Sequence, residues 1–456
     1  MLLKEIKKNY PIILILVVSL AVRLIYLSYN IIWWDSSVYI GMAKYIFSLG
    51  SSGLWEISRS LALPSILGIF WRLGFDPYIT GRVLDLLFST GCVLLTYLIA
   101  KQIFDRRTAL LSAFVLSFTP TFFNNGNYLL TEISSTFFAL LGLYFLFRKK
   151  YLLCGLFCGI AFMTRFLQLF VFIAVFGLLF FLEKKDLLKK IFLVSCGFLI
   201  PLLPYLTINY ILYNNPIFPF LHQIYMTANT GFIWHEKFYF YLFNILKDNF
   251  LVVFLLLSPL YYIKTKDRRK HVLLAIFFIF LIFYISIAHK EMRFLITLMP
   301  YLSIFVSLGL FYAADFFNKR WINCAAVIVL LSAFFIFSLG SYDKGRDDGR
   351  YNKFWDYIDR EDVEGTIWVS SPVFAVHSDK KAVPIYYDVF SSEKITELQN
   401  SAKPDYILID TCDLVCPPDD TLCPKMKDDF FNSLKKNFDQ TFYEKIDDCE
   451  RFILSS

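Results

Sequence analysis

The sequence predicts an all-α polytopic membrane protein with a small C-terminal extracytoplasmic α/β domain. Three observations carry this. Of 456 residues, 57% are hydrophobic, 18% are charged and 51 are Phe. Apolar runs of about 18 or more residues recur, the length a helix needs to cross the hydrocarbon core of a bilayer. Charge is unevenly placed: residues 341–456 hold 15 Lys and Arg against 24 Asp and Glu, whereas residues 1–340 hold 30 against 14. The apolar runs are continuous rather than alternating. They read as helices, which satisfy their own backbone hydrogen bonds in lipid, and not as barrel strands.

About eleven spans can be drawn. The first runs from Tyr10 to Asn30. It follows Lys4, Lys7 and Lys8 and has no small-residue cleavage site, so it reads as an uncleaved anchor. A long polar segment, 31–77, comes next. Further spans fall near 78–100, 108–123, 129–147, 151–163, 167–182, 191–213, 248–263, 271–288, 295–317 and 321–340. One set of loops (1–9, 101–107, 148–150, 183–190, 264–270, 318–320) holds 20 Lys and Arg in 37 residues. The opposite set (31–77, 124–128, 164–166, 214–247, 289–294) holds 8 in 95. The positive-inside rule therefore places the N-terminus in the cytoplasm and the C-terminal region outside. Basic residues confined to short loops speak for topology rather than nucleic acid.

The chain divides into a membrane part, 1–340, and an exported domain, 341–456. After a boundary rich in Gly, Asp and Arg (Gly340–Arg350), Thr366–Val369 and Tyr406–Ile409 read as strands and Lys427–Phe438 as an amphipathic helix. Cys412, Cys416, Cys423 and Cys449 all fall in this domain. In an oxidising compartment they imply two disulfides, with three pairings open; a zinc site is the rival reading. Cys92, Cys154, Cys158, Cys196 and Cys324 lie in spans and read as packing residues.

The candidates for chemistry gather in the outer loops. Asp35 follows the first span beside Trp33 and Trp34. A carboxylate there suits a general base for an acceptor hydroxyl, and equally a helix N-cap for Val38 onward. Val38–Leu49 and Leu61–Leu73 read as amphipathic helices along the interface, with Trp33, Trp34, Trp55 and Trp71 as an aromatic belt. Arg59 and Arg165 are cations in apolar surroundings, suited to phosphate or to snorkelling towards headgroups. Glu132 sits at the outer end of its span, placed to pair with an Arg or touch an acceptor. His289, Lys290, Glu291 and Arg293 crowd one six-residue turn, HKEMRF, a density that fits an anionic headgroup. There is no P-loop, dinucleotide fingerprint or HExxH helix. A polytopic transporter or lipid flippase is the alternative; it requires midplane polar residues and inverted repeats, and neither stands out.

HKEMRF matches the HKE-x-RF turn of the dolichyl-phosphate-mannose-dependent mannosyltransferases, and WEISRSLALP is similar to their WE…RS…P segment. TEISS and GIAFMTR resemble segments of the ArnT, RgtA/B/C/D-like and protein-O-mannosyltransferase group. The first loop opens WWDSS, without the His and Glu of the mannosyltransferase pattern. Over residues 10–340 the chain resembles the GT-C class of membrane glycosyltransferases. The resemblance implies transfer of a hexose, mannose first, from a polyprenyl- or dolichyl-phosphate sugar to a glycan, lipid or protein hydroxyl. It implies inversion, with Asp35 as base, and Arg59, Glu132, Arg165 and the His289–Arg293 turn binding donor phosphate or acceptor. No cofactor and no divalent metal are expected. The partners implied are membrane lipids, the lipid-phosphate sugar and the acceptor, with no nucleic acid. The small exported domain and the absence of a retrieval signal suggest a prokaryotic, even archaeal, plasma membrane.

Overall fold

The computed structural model describes residues 2–27, 32–182, 185–230, 235–263, 268–315, 320–343, 352–360 and 365–456. Residues 344–350 of the predicted domain boundary, the end of the first span at Asn30, and parts of loops 183–190, 264–270 and 318–320 lie outside them. In chain order the helices are α1 (Leu2–Tyr26), α2 (Trp34–Phe47), α3 (Ala62–Arg72), α4 (Pro77–Ile103), α5 (Arg106–Phe118), α6 (Pro120–Asn125), α7 (Thr131–Phe147), α8 (Tyr151–Thr164), α9 (Leu169–Leu182) and α10 (Leu187–Tyr213). They continue as α11 (Phe218–Thr230), α12 (Phe240–Asp248), α13 (Ser258–Ile263), α14 (Arg268–Ser286), α15 (Met299–Asp315), α16 (Arg320–Ser341), α17 (Asn352–Arg360), α18 (Phe374–His377), α19 (Ser392–Asn400) and α20 (Cys423–Asn437). The strands are β1 (Ile367–Val369), β2 (Ala382–Pro384), β3 (Tyr406–Asp410), β4 (Asp439–Ile446) and β5 (Cys449–Ser455).

The protein is a multi-pass membrane protein. Among the described residues five helices are long and apolar enough to cross a bilayer, and six if a bent pair counts as one span. Four more apolar helices are shorter, 131–147, 151–164, 166–181 and 299–315. Two predicted spans are broken. The run 108–123 stops at Phe118 because Pro120 has no N–H to continue the ladder and forces Thr119 into extended backbone. The run 248–263 begins as a 3-10 turn, Phe250–Leu257, and bends by 114° from α12.

The chain folds as two compact units. One comprises Met1–Ser28, Arg82–Pro216 and Glu236–Lys344; the other comprises Tyr29–Gly81, Ile217–His235 and Gly345–Ser456. The first long loop thus packs with the C-terminal residues.

In the first unit, α8 and α10 meet closely because glycines remove side chains from the contact. A Cβ on Gly155 would lie 1.9 Å from the Val194 carbonyl oxygen, and one on Gly197 would lie 2.1 Å from that of Leu152. Two buried charges secure the broken segment between α5 and α7. Arg23, on α1, donates to the Phe123 carbonyl at 3.1 Å and lies 4.7 Å from the Phe123 ring centre. Asp85, on α4, faces the backbone N–H groups of Leu129 and Leu130 at the start of α7. Both are fully buried.

The second unit is a three-layer α/β sandwich. Its sheet has the order β2-β1-β3-β5-β4, with β1, β2 and β3 parallel and β5 antiparallel to β3 and β4. One face carries Trp368, Ile407 and Ile409 and is covered by α19 and α20 through Ile395, Leu398, Phe430 and Phe431. The other carries Ile367, Val369, Leu408 and Ile453 and is covered by Val38, Met42 and Leu54 of the first loop, together with Phe374 and Ala375. The sequence suggests that α2 lies along the interface; it is instead buried on all sides from Ser36 to Lys44, between α3 and the sheet. Trp34 and Trp55 pack against this core rather than forming a belt. α3 retains an apolar outer surface, with Ile69 and Leu73 exposed.

Backbone contacts fix α2 further. Gly53 N–H donates to the Lys380 carbonyl at 3.1 Å, and Ala382 N–H to the Gly53 carbonyl at 2.8 Å, so the loop adds a residue to the edge of the sheet. Gly53 has φ +75°, and a Cβ there would lie 2.1 Å from the Gly41 carbonyl oxygen. Lys44 is buried; it pairs with Asp379 at 2.8 Å and donates to the Ser378 carbonyl at 3.1 Å. The four C-terminal cysteines form Cys412–Cys449 and Cys416–Cys423, with Sγ–Sγ distances of 2.02 and 2.04 Å.

Removal of residues 345–456 should strip α2 of half its core. Limited proteolysis of the truncated protein in lipid should then cut within residues 34–61, a segment resistant in the full chain. Gly53→Ala should lower the melting temperature of the full chain, by about 1–3 kcal/mol of strain or more.

Candidate functional site

The charged candidates from the sequence gather in two clusters, one in each unit. In the second, Asp35 lies in the first turn of α2. The N-cap position is Trp33, and Ser36 serves it: the Trp33 N–H donates to Ser36 Oγ at 3.1 Å and Ser36 Oγ donates to the Trp33 carbonyl at 2.8 Å. The capping role open to Asp35 on sequence is thus filled by another residue. A carboxylate in the first turn is also favoured by the helix dipole.

Arg59 bridges two carboxylates. Its Nη2 lies 2.9 Å from Asp35 Oδ1 and its Nε 2.8 Å from Glu56 Oε2. The side chain of Glu56 is 2% exposed, that of Asp35 17%. The second Glu56 oxygen accepts from the Tyr386 hydroxyl at 2.9 Å. Burial opposes the charge on Arg59, but Asp35 and Glu56 more than offset it and hold its pKa well above the ordinary arginine value. Burial together with Glu56 pushes the Tyr386 phenol well up, so it remains a donor. The Tyr386 ring meets the Trp34 ring edge-on, with centres 4.7 Å apart. One residue on, Tyr387 accepts from the Ser58 N–H at 3.0 Å and lies 3.2 Å from His222 Nδ1, while His222 Nε2 is 3.2 Å from Asp388.

In the first unit, Glu132 stands in the first turn of α7. Arg165 pairs with its Oε1 by Nη1, and Arg293 approaches the same oxygen at 3.8 Å by Nε. Arg293 Nη2 and His289 Nε2 each lie 2.8 Å from Glu291 Oε1. Phe294 lies under both arginines, its ring centre 5.2 Å from the Arg165 guanidinium and 5.7 Å from that of Arg293. Burial pushes the Glu291 carboxyl up, but the hydrogen bonds from His289 and Arg293 outweigh it and leave its pKa below the ordinary value. Lys290 differs from its neighbours: it is buried, and its ammonium donates to the Glu236 and Ile287 carbonyls. It braces the turn.

These turns are locked by a buried amide. Gln168 Nε2 donates to Ser135 Oγ and to Thr297 Oγ1, both at 3.1 Å. Ser135 follows Glu132 on α7, Gln168 lies on the 3-10 turn Phe166–Gln168 after Arg165, and Thr297 ends the 3-10 turn that begins after Glu291. One side chain therefore fixes the relative positions of the three charged elements. Two arginines and a histidine around carboxylates, partly exposed and backed by an aromatic ring, suit an anionic oxygen ligand.

The architecture has known counterparts. The crystal structure of ArnT from Cupriavidus metallidurans, bound to undecaprenyl phosphate, matches with a TM-score of 0.69 at 13% identity over 98% of both chains. The fold is that of the GT-C membrane glycosyltransferases. The archaeal oligosaccharyltransferase AglB from Archaeoglobus fulgidus, in complex with an inhibitory peptide and a dolichol-phosphate, matches with a TM-score of 0.63 at 12% identity, over 89% of this chain and 70% of that one. The family model for dolichyl-phosphate-mannose-protein mannosyltransferase matches residues 58–208. Comparison with curated proteins finds no sequence match.

On this GT-C scaffold the sequence-derived candidates fall into two groups: Asp35 with Arg59, and Glu132 with Arg165, His289, Glu291 and Arg293. Tyr386, His222 and Gln168 were missed. Tyr386 carried one readable signal, a Tyr pair just past the C-terminal end of a short apolar run, where parallel strands present residues to a site. Gln168 carried none.

Glu132→Ala should leave Arg165 buried without its partner and cost about 3–5 kcal/mol, read as a fall in melting temperature in lipid. Glu291 should give the protein an acid-sensitive component. Its stabilising contribution is complete above the unfolded carboxyl value, about 4.3, and is lost as pH falls through the lower folded value. Glu291→Gln should flatten that part of a stability profile measured between about pH 3 and 6.

Proposed function

We propose that the protein is a glycosyltransferase that moves a hexose, mannose in the first instance, from a polyprenyl- or dolichyl-phosphate sugar to a hydroxyl of a glycan, lipid or protein on the extracytoplasmic face. The observation that carries the reading is the Asp35 carboxylate: partly exposed, in the first turn of α2, and oriented by Arg59, within a GT-C fold. The neighbours support the donor class, since ArnT is bound to undecaprenyl phosphate and AglB to a dolichol-phosphate.

In this reading Asp35 accepts the proton of the acceptor hydroxyl as its oxygen attacks the sugar C1. The bond from C1 to the phosphate oxygen breaks, its electron pair leaves with the lipid phosphate, and the sugar configuration inverts. Taken by itself, the cluster of Arg165 and Arg293 offers paired N–H donors suited to phosphate oxygens, with Glu132 and Glu291 holding the guanidiniums in orientation. The scheme calls for no divalent cation, because a monoester phosphate leaves well where cations of the protein meet its charge.

The test is transfer by the purified protein in lipid, with radiolabelled dolichyl-phosphate mannose and a membrane extract as acceptor. Wild type should transfer label, and Asp35→Asn should lose at least about a hundredfold in kcat while remaining folded. Equal rates would remove Asp35 from the base role; no transfer with any lipid-phosphate sugar would remove the donor class. A chelator should leave the wild-type rate unchanged.

A further inference from the structure

Asp35 and Arg59 belong to the first long loop, but the group that closes the network around them comes from the other end of the chain. Tyr386 lies two residues past β2, at the C-terminal edge of the parallel strands. Its hydroxyl donates to Glu56 Oε1 at 2.9 Å, Glu56 Oε2 meets Arg59 Nε at 2.8 Å, and Arg59 Nη2 meets Asp35 Oδ1 at 2.9 Å. The Tyr386 ring is also held by Trp34, the residue before Asp35. Tyr39 lies near Arg59, its ring centre 5.8 Å from the guanidinium, and Asp413 is the further charged group facing Tyr386.

We propose that Tyr386 is a positioning residue, which by holding Glu56 sets how Arg59 is shared between Glu56 and Asp35 and so sets the basicity of Asp35. The inference rests on the reading of Asp35 as general base. The argument is one of competing acceptors. A guanidinium free to bind Asp35 through two parallel hydrogen bonds would hold it firmly but depress its pKa by roughly 1–3 units, leaving a poor base. Glu56 draws the Nε side of Arg59 away and limits that effect. Glu56 is itself buried, so its second oxygen requires a protein donor, and Tyr386 supplies it. Without the phenol, Glu56 turns both oxygens to Arg59, and Asp35 loses part of its cation. Without the Glu56 charge, Arg59 turns to Asp35. The two changes act on Asp35 with opposite sign.

The experiment is the pH dependence of kcat for the full chain in lipid, with radiolabelled dolichyl-phosphate mannose at saturation. Glu56→Gln should move the acid limb to lower pH by about one unit, and Tyr386→Phe should move it to higher pH by about half a unit or more. Tyr387→Phe, which removes a neighbouring buried phenol bonded to Ser58 and not to Glu56, should lower the melting temperature without moving the limb. Limbs that stay at the wild-type position, or move the same way in Glu56→Gln and Tyr386→Phe, would overturn the proposal. If Tyr386→Phe does not fold, a fluorotyrosine at Tyr386, a stronger donor of nearly the same shape, decides instead: the limb should move to lower pH, and an unmoved limb would overturn the proposal. If Asp35→Asn transfers like wild type, the general-base reading itself has failed; if Asp35→Asn is inactive and both other limbs are unmoved, only the role of Tyr386 has.

Discussion

The burial of α2 against the C-terminal sheet is the contact on which the second unit depends. Ile367, Val369, Leu408 and Ile453 form one face of a small sheet, and an uncovered face of that kind cannot persist in water. The residues that cover it are Val38, Met42 and Leu54, contributed by the first loop. The same packing places Asp35, just before the buried stretch, on a helix held by a core, a sheet-edge bridge at Gly53 and the buried Lys44–Asp379 pair. A side chain on such a support is held far more closely than one on a free loop.

The two charged clusters follow one design despite their separate origins. In each, an arginine is held by a carboxylate that is itself almost fully buried: Glu56 for Arg59, Glu132 for Arg165. Each carboxylate fixes one edge of a guanidinium. A neutral polar side chain then braces each cluster, Tyr386 by donating to Glu56 itself and Gln168 by tying Ser135 to Thr297 beside the charged turns. Lys290 completes the contrast. Its ammonium turns inward to two backbone carbonyls, whereas the arginines meet carboxylates.

Much of the helical part was legible because long apolar runs are a strong signal. The breaks at Pro120 and near Asn249 were less so; Pro120 is a readable stop, but the 3-10 turn from Phe250 to Leu257 is as apolar as a straight span and is distinguished only by its packing. In the C-terminal domain β1 and β3 were visible as β-rich runs, while β2, three residues long, and the β4–β5 hairpin were not. The charged residues of both clusters stood out because ionisable groups are rare in this chain. Their partners did not, since Tyr386 and Gln168 lie far in sequence from what they touch and belong to types common in unremarkable places. The misreading of α2 has a similar cause: a helix buried on every side has little periodicity, and nothing local to it says that a sheet will arrive to cover it.

That arrangement imposes an order on biogenesis. α2 leaves the ribosome early, whereas β1, β3 and β5 are made near the end of the chain. At the roughly 5–20 residues per second of synthesis, the apolar side of α2 waits on the order of tens of seconds for its cover. During that interval the membrane surface or a chaperone must shield Val38, Met42 and Leu54. The loop that carries Asp35 is therefore completed late, and a chain interrupted between residues 344 and 367 would hold its long apolar helices yet never complete that loop.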